Sequence, residues 1–343
     1  MLFYIFYLTL TILSVIILNI FLKNKNILTS ETGDAHQKFA SKKNTPLTGG
    51  ILIFFSLLYL FDPIDLYFFF FAFLVLVLGF FSDLKLIASA QLRLFFQIFL
   101  IISFVVLNDL QIVDTRIYLL DEILKERFIN YFFVVFCILV VLNGSNFFDG
   151  LNTLSIGYYL LISLIIFYLN FNNEISIHED VFKNLIVILS LVYFFNFFNQ
   201  IFLGDSGSYL LGFIFSILLI KIYHFNEHIS PFFITLLLWY PSYELLFSII
   251  RKNILNKSPM DPDSNHLHQL IFNYLKRKKS LKIFTANLLS ANLINFYNLI
   301  IFSISLNNIT NTQLQVILII LNLTIYTVIY FKLFIYRFKK YEK

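Results

Sequence analysis

Charge is scarce in this sequence. Lys, Arg, Asp and Glu make up only 13% of the 343 residues, where a soluble domain carries about a quarter. No hydrophilic stretch is long enough to form a separate soluble domain, so residues 1–343 read as one unit. Cysteine is nearly absent. Cys137 stands alone in an apolar run, which excludes an intramolecular disulfide and a cysteine-cluster metal site. The first apolar run, 1–22, lacks both a basic leader and a small-residue cleavage site. It reads as a retained anchor rather than a cleaved signal peptide.

What fills the sequence instead is apolar: 59% of residues are hydrophobic and the mean hydropathy is +0.81. A membrane-spanning helix needs roughly 20 mostly apolar residues. Eleven apolar segments can be marked, at about 1–22, 47–61, 66–82, 92–107, 128–142, 153–170, 181–198, 208–223, 231–250, 283–304 and 313–335. Barrel strands would be about ten residues long and alternating; these runs are longer and continuously apolar. The expected fold class is an all-α polytopic membrane protein with about 11 transmembrane helices.

Basic residues orient such a chain. Of the 25 Lys and Arg, only Arg116, Lys125, Arg127, Lys183 and Lys221 fall on the side not reached after the first segment. That side is also acidic, with Asp109, Asp114, Asp121, Glu122, Glu179 and Asp180. The expectation is an N-terminus outside and a C-terminus in the cytoplasm.

Four short polar loops follow segments 3, 5, 7 and 9: Gly79–Asp83, Asn143–Asn152, Phe202–Ser208 and Ser258–His268. Parity puts all four on the basic, cytoplasmic face, which points to one shared site. Their contents suit a magnesium-bound diphosphate. Mg²⁺ takes hard oxygen ligands, usually one or two carboxylates plus substrate phosphates, and Asp83, Asp149 and Asp205 supply carboxylates beside small residues. Residues 205–208 open an apolar helix whose free N–H groups suit a phosphate. Ser258, His266, His268, Arg251 and Lys257 add donors. Each has a plainer role open to it. Asp205 could cap the helix that starts at Ser206, Asp83 could be a solvated helix end, Asn143 and Asn146 could serve loop backbone, and the histidines could simply be hydrated. The basic run Lys276–Lys279 reads as an orientation signal near anionic lipid. Glu244 differs, because an ionisable group at membrane depth is a functional candidate by default. Arg251, seven residues on and on the same helix face, is its candidate partner.

Together these loops resemble the polyprenyl-phosphate N-acetylhexosamine-1-phosphate transferases, the MraY/WecA type of glycosyltransferase family 4, over about residues 36–270. Pro46–Gly50 is similar to that family's proline and glycine-pair entry to the second helix. Gly79–Asp83 with Arg93 and Gln97 is similar to its Gly-x-x-Asp-Asp and Arg-x-x-x-Gln segment. Asn143–Asn152 resembles its Asn-Phe-x-Asp-Gly loop, and Phe202–Ser208 its Gly-Asp-x-Gly-Ser loop. Pro241 to Arg251, then Ser258 to His268, resemble its Pro-x-x-Asp helix and its His-x-His loop. Three positions depart: Ser82 stands where a first aspartate is usual, Glu244 where aspartate is commoner, and Gln269 where a further histidine is frequent.

The resemblance implies a single integral membrane transferase domain, multi-pass in a bacterial inner membrane, with its active site on the cytoplasmic face. It implies transfer of an N-acetylhexosamine-1-phosphate from a UDP-sugar to polyprenyl (undecaprenyl) phosphate, releasing UMP, as the initiating step of a cell-surface glycan. The implied cofactor is Mg²⁺, held by Asn146 and Asp205. Asp83 and Asp205 would be catalytic, Asp83 lying by the lipid phosphate. Asn143, Asp149, Asn152, Arg251, His266 and His268 would bind the UDP-N-acetylhexosamine. Partners are that donor, polyprenyl phosphate and membrane lipid, with no nucleic acid; a homodimer is left open. The competing class is a secondary transporter or lipid flippase, which would place polar groups at mid-membrane and often show internal repeats. No repeat is found, and the acidic residues sit mainly in loops.

Overall fold

The computed structural model describes residues 2–25, 27–29, 45–60, 66–177, 179–261 and 263–339. The loop between His36 and Pro46, with its basic residues, falls almost wholly outside them. Where the chain is apolar it is helical, since backbone shielded from water must satisfy its N–H and C=O groups within the segment. The helices are α1 (Leu2–Lys25), α2 (Gly49–Leu60), α3 (Leu66–Asp83), α4 (Ala90–Leu107), α5 (Tyr118–Leu124), α6 (Arg127–Phe148), α7 (Leu154–Phe171), α8 (Glu179–Phe197), α9 (Gly204–Phe225), α10 (Pro231–Leu237), α11 (Trp239–Ile254), α12 (Leu267–Lys278), α13 (Ile283–Ser305) and α14 (Thr312–Lys339). No strand forms among the described residues beyond one isolated bridge, Thr29 to Pro46.

Nine of these helices are long and apolar enough to cross a membrane, or ten if α10 and α11 are one bent span. All eleven expected segments contain helix, but two are not straight spans. The second forms only the 12-residue α2. The ninth breaks into α10 and α11, which meet at 72°. The cause of the break is local. Pro241 has no N–H to donate to the carbonyl of Leu237 four residues back, and the Tyr158 hydroxyl bonds that carbonyl instead, at 2.8 Å. Two helices, α5 and α12, have no counterpart among the apolar segments.

The bundle is built around α9, whose side chains are buried along almost its whole length. Small residues let its neighbours approach. A Cβ on Gly79 of α3 would lie 2.4 Å from the Ser206 Cα, so only glycine fits where α3 crosses the start of α9. Large apolar side chains face outward around the bundle, among them Ile17, Phe95, Phe99 and Ile320, each 58–67% exposed. That surface suits lipid.

Chain direction sorts the connections. Helices α3, α6, α8, α11 and α14 end where α4, α7, α9 and α13 begin, so the four polar loops collect at one end of the bundle. The opposite end is tied by Arg116. It donates to the carbonyls of Thr310 (2.9 Å), His228 (3.1 Å) and Ile229 (2.9 Å) and to the Thr312 hydroxyl (2.8 Å). This residue, on the sparsely basic side, is absorbed in fastening three loops together.

Candidate active site

The site begins where α3 meets α9. Gly204 adopts φ +70°, which glycine allows without strain, and this turns the chain beneath the end of α3. Asp83 then reaches across. Its Oδ1 accepts the Asp205 N–H at 2.8 Å and its Oδ2 the Ser206 N–H at 3.1 Å. The cap of α9 is therefore Asp83, supplied by another helix, and not Asp205. The Pro46–Gly50 segment is laced to the same turn: Phe202 N–H donates to Pro46 O at 2.8 Å, and Gly49 N–H donates to Phe202 O at 2.9 Å.

Asp205, freed from capping, sits in the first turn of α9 and gathers donors. Its Oδ2 accepts from Ser82 Oγ at 2.5 Å and Arg93 Nη1 at 3.0 Å, while Arg93 also reaches Ser82 Oγ at 2.6 Å. Its Oδ1 accepts from Asn146 Nδ2 at 2.6 Å, and that amide also reaches Ser208 Oγ at 3.1 Å. Ser82, standing at the position of an expected carboxylate, thus donates to Asp205 instead of repelling it. Asp149, at the end of α6, has a carboxyl pushed well above the usual range, first by burial and then by the charges of Asp205 and Asp83.

Could these groups hold Mg²⁺? Among the described residues no group of three or more His, Cys, Asp or Glu is arranged as a metal site. Mg²⁺ asks for less from protein when substrate phosphates and water complete its shell. The donor set fits that case through Asp205, a hard-oxygen carboxylate beside the Asn146 amide, with Asp83 and Asp149 close by; Arg93, paired with Asp205 Oδ2 at 3.0 Å, would have to yield that oxygen to the ion or leave it Oδ1. Turning the Asn146 amide, whose O and N are interchangeable by assignment, would set its oxygen beside Asp205 Oδ1.

A second cluster comes from α11, the 258–266 loop and α12. Glu244 is 1% exposed, and its Oε1 lies 2.9 Å from His266 Nδ1. Arg251 does not take Glu244 as its hydrogen-bonded partner. The loop folds back over α11 so that Asp263 meets Arg251 at 2.5 Å, and Ser248 Oγ accepts a second bond at 3.0 Å. Burial alone would raise the Asp263 carboxyl, but the Arg251 hydrogen bond and the nearby His266 and Lys252 outweigh it, holding it down to about 2. The unusual Gln269 has a role here: its Oε1 accepts the His266 N–H at 3.2 Å, closing the first turn of α12.

The two clusters meet at the end of α6. The Phe147 ring packs edge-on against His266, with centroids 5.4 Å apart, and the Lys252 ammonium lies 5.6 Å from the Phe147 centroid. The His266 and His268 rings stack at 5.7 Å. His268 packs on Gly150, where a Cβ would come within 2.4 Å of its Nε2.

Of the expected site residues, Asp83, Asn146, Asp149, Asp205, Arg251, His266 and His268 are brought to this one end. Asn143 is on α6, its amide spent on the Leu139 carbonyl at 3.0 Å. Asn152 is turned inward. It is 6% exposed, its N–H donates to Asn287 Oδ1 at 2.9 Å, and its Nδ2 donates to Asn199 Oδ1 at 2.7 Å and Asn196 O at 3.0 Å. It holds the 149–153 turn against α8 and α13. In sequence Arg93 figures only in the Arg-x-x-x-Gln resemblance, with no site role; the structure pairs it with Asp205 at 3.0 Å.

Parts of the chain are similar in sequence to known proteins. Residues 66–223 match the profile of glycosyl transferase family 4. Over 95 residues the chain is 34% identical to the undecaprenyl-phosphate alpha-N-acetylglucosaminyl 1-phosphate transferase of Thermotoga maritima, covering 28% of this chain and 31% of that protein. Over 155 residues it is 34% identical to a probable undecaprenyl-phosphate N-acetylglucosaminyl 1-phosphate transferase of Bacillus subtilis, covering 42% of each chain. The alignments thus span less than half the length of either relative.

Proposed function

From the premise that this chain belongs to glycosyl transferase family 4, of the MraY/WecA type, through residues 66–223, we propose that it transfers an N-acetylhexosamine-1-phosphate from a UDP-sugar to polyprenyl phosphate. The product would begin a cell-surface glycan on the cytoplasmic face of a bacterial inner membrane, the face marked by the excess of lysine and arginine. The observation that carries the reading is Asp205, fixed between Arg93, Ser82 and Asn146 at the same end of the bundle as the His266–His268 turn.

In this reading a phosphate oxygen of the lipid attacks the phosphorus bonded to the sugar. That P–O bond forms as the pyrophosphate P–O bond breaks, and the electron pair leaves with UMP. Such transfers depend chiefly on positioning and on stabilising spread charge. Asp205 and Asn146 would hold Mg²⁺, which when bound neutralises the diphosphate. The chain does the rest. Arg251, pinned by Asp263, and the paired histidines present donors to the diphosphate and sugar. Asp149 follows α6 close to Asp205 and Asp83, with Asn143 one turn before Phe147 on α6. No strong base is needed, because a phosphomonoester is already largely ionised near neutral pH, its second pKa being about 6. This suits Asp83, whose two oxygens already accept backbone N–H groups; its part would be to fix the start of α9 and to orient the attacking phosphate or the water around the magnesium.

The test is UMP release by purified protein in nanodiscs, given undecaprenyl phosphate, Mg²⁺ and a panel of UDP-N-acetylhexosamines. Release with at least one donor, abolished by omitting the lipid, is expected. Silence with every donor, from protein shown to be folded, would overturn the assignment.

A further inference from the structure

The last helix carries more than a membrane span. Sequence alone assigns the basic residues near its end to orientation, a role that needs only a charge facing water or lipid headgroups. Arg337 faces the other way. Its Nη1 donates to the Ser264 carbonyl at 2.6 Å and to Asn265 Oδ1 at 2.8 Å, and its Nη2 donates to Ser264 Oγ at 3.1 Å. Three bonds thus land on the two residues immediately before His266. The packing that delivers them is aromatic, with Tyr336 of α14 against Tyr274 of α12 at 5.2 Å, edge to face.

The same turn is held from its other side. Arg251 of α11 grips Asp263, and Asp263 Oδ1 accepts the Asn265 N–H at 3.4 Å and lies 3.4 Å from His266 Nε2. Residues 263–266 are therefore straddled by two guanidinium groups, one from α11 and one from α14. A planar fork suits this task. It can serve a carbonyl, an amide oxygen and a hydroxyl at once, which a lysine ammonium on a flexible stem does poorly. Residues 224–343 lie outside the matched family profile, so nothing in that match assigns α14 a part in the site.

We propose that Arg337 is a positioning residue. It fixes the turn that carries His266 and His268, and through them sets affinity for the diphosphate end of the UDP-sugar, without touching substrate. The proposal rests on the transferase reading. Its effect belongs to donor binding and not to the lipid or the chemical step, because the three bonds of the clamp end on the histidine turn and none reaches Asp205, Asn146 or Arg93.

Steady-state UMP release by full-length protein in nanodiscs, with donor and polyprenyl phosphate varied separately, tests it. Arg337→Ala should raise KM for the UDP-sugar by about tenfold, the lower end of the cost of losing a partner that orients a binding group. The KM for polyprenyl phosphate should stay at the parental value, and kcat should change little. Arg337→Lys should recover only part of the loss. Lys332→Ala, which removes an exposed charge from the same helix, should behave like the parent. Hydrogen exchange should rise in peptides covering 258–268 of Arg337→Ala and nowhere else in the core. Full recovery by lysine would reduce Arg337 to a charge; equal shifts in both KM values, or unchanged exchange in the turn, would remove the clamp. A parent inactive with every donor defeats the transferase reading and the donor-affinity role together, whereas an active parent with an unaltered Arg337→Ala variant defeats the clamp alone.

Discussion

Asp83 does two jobs in the proposed transferase, and substitution can separate them. It caps α9 through two backbone N–H groups, at 2.8 and 3.1 Å, and it stands beside Asp205, where the proposed reaction would put the lipid phosphate. Asp83→Ala removes both acceptors. Losing a helix cap costs about 0.5–2 kcal/mol, and the buried N–H groups left behind put this case at the upper end. Asp83→Asn keeps one oxygen, so one N–H stays paired while the new amide donor faces the other; a loss of about 1 kcal/mol is expected. Both losses leave a folded protein. Turnover should respond differently. A carboxylate that only caps would leave activity per folded molecule near the parental value. One that orients the attacking phosphate should cost about 10²-fold or more, and the asparagine variant should lose as much as alanine because both lack the charge. The assay is UMP release normalised to the monodisperse fraction on size exclusion, with thermal unfolding measured in parallel. Ser82→Ala is the paired control. It deletes one hydroxyl but leaves the Arg93–Asp205 pair at 3.0 Å, so it should lose only about tenfold, the lower end for one hydrogen bond to a charged group. If Asp83→Asn turns over like the parent, Asp83 is a cap and nothing more.

Two further predictions concern the metal and the membrane. Asp205→Asn keeps size while removing the charge shared with Arg93, and it should abolish turnover or shift the Mg²⁺ titration to much higher concentration without loss of fold; parental activity at ordinary Mg²⁺ would end the ligand assignment. Single cysteines in a Cys137→Ser background should label from the cytoplasm at Ser89 and Ser280 and from outside at Asn172 and Glu227, all of which are exposed, and a reversed pattern at any of the four would break the topology.

The sequence displays the site's membership better than its wiring. Asp205, Asn146 and the histidines can be found because glycine and polar residues interrupt runs that are otherwise continuously apolar. The direction of a carboxylate cannot. Asp83 and Asp205 look alike in one dimension, and only the crossing of α3 over α9, allowed by Gly79, decides that the first caps and the second gathers Arg93, Ser82 and Asn146. Glu244 and Arg251 share a helix face by spacing, yet the fold-back of 258–266 supplies each with a different partner. Asn152 lies inside a motif loop, but a cluster of asparagines from α8 and α13 claims it; that cluster spans residues 152–287 and leaves no local pattern. The bend between α10 and α11 is partly readable, since Pro241 removes a donor. The Tyr158 hydroxyl that accepts the task sits more than eighty residues earlier. Arg337 is hidden for another reason: a basic residue near a helix end looks the same whether it meets headgroups or a loop carbonyl.

The cap on α9 also has a consequence for how the protein is made. Asp83 and the N–H group it serves are 122 residues apart in sequence. At a synthesis rate of about 5–20 residues per second, α3 leaves the ribosome roughly 6–25 s before the turn that needs its carboxylate. Throughout that interval the end of α3 must remain at the water boundary, where the charge stays hydrated. An aspartate whose partner has not yet been translated, with the exposed Lys85 two residues on, would therefore hold its depth in the bilayer during biogenesis, and replacing Asp83 by an apolar residue should let the nascent α3 slide deeper, as far as Lys85 allows, before α9 arrives.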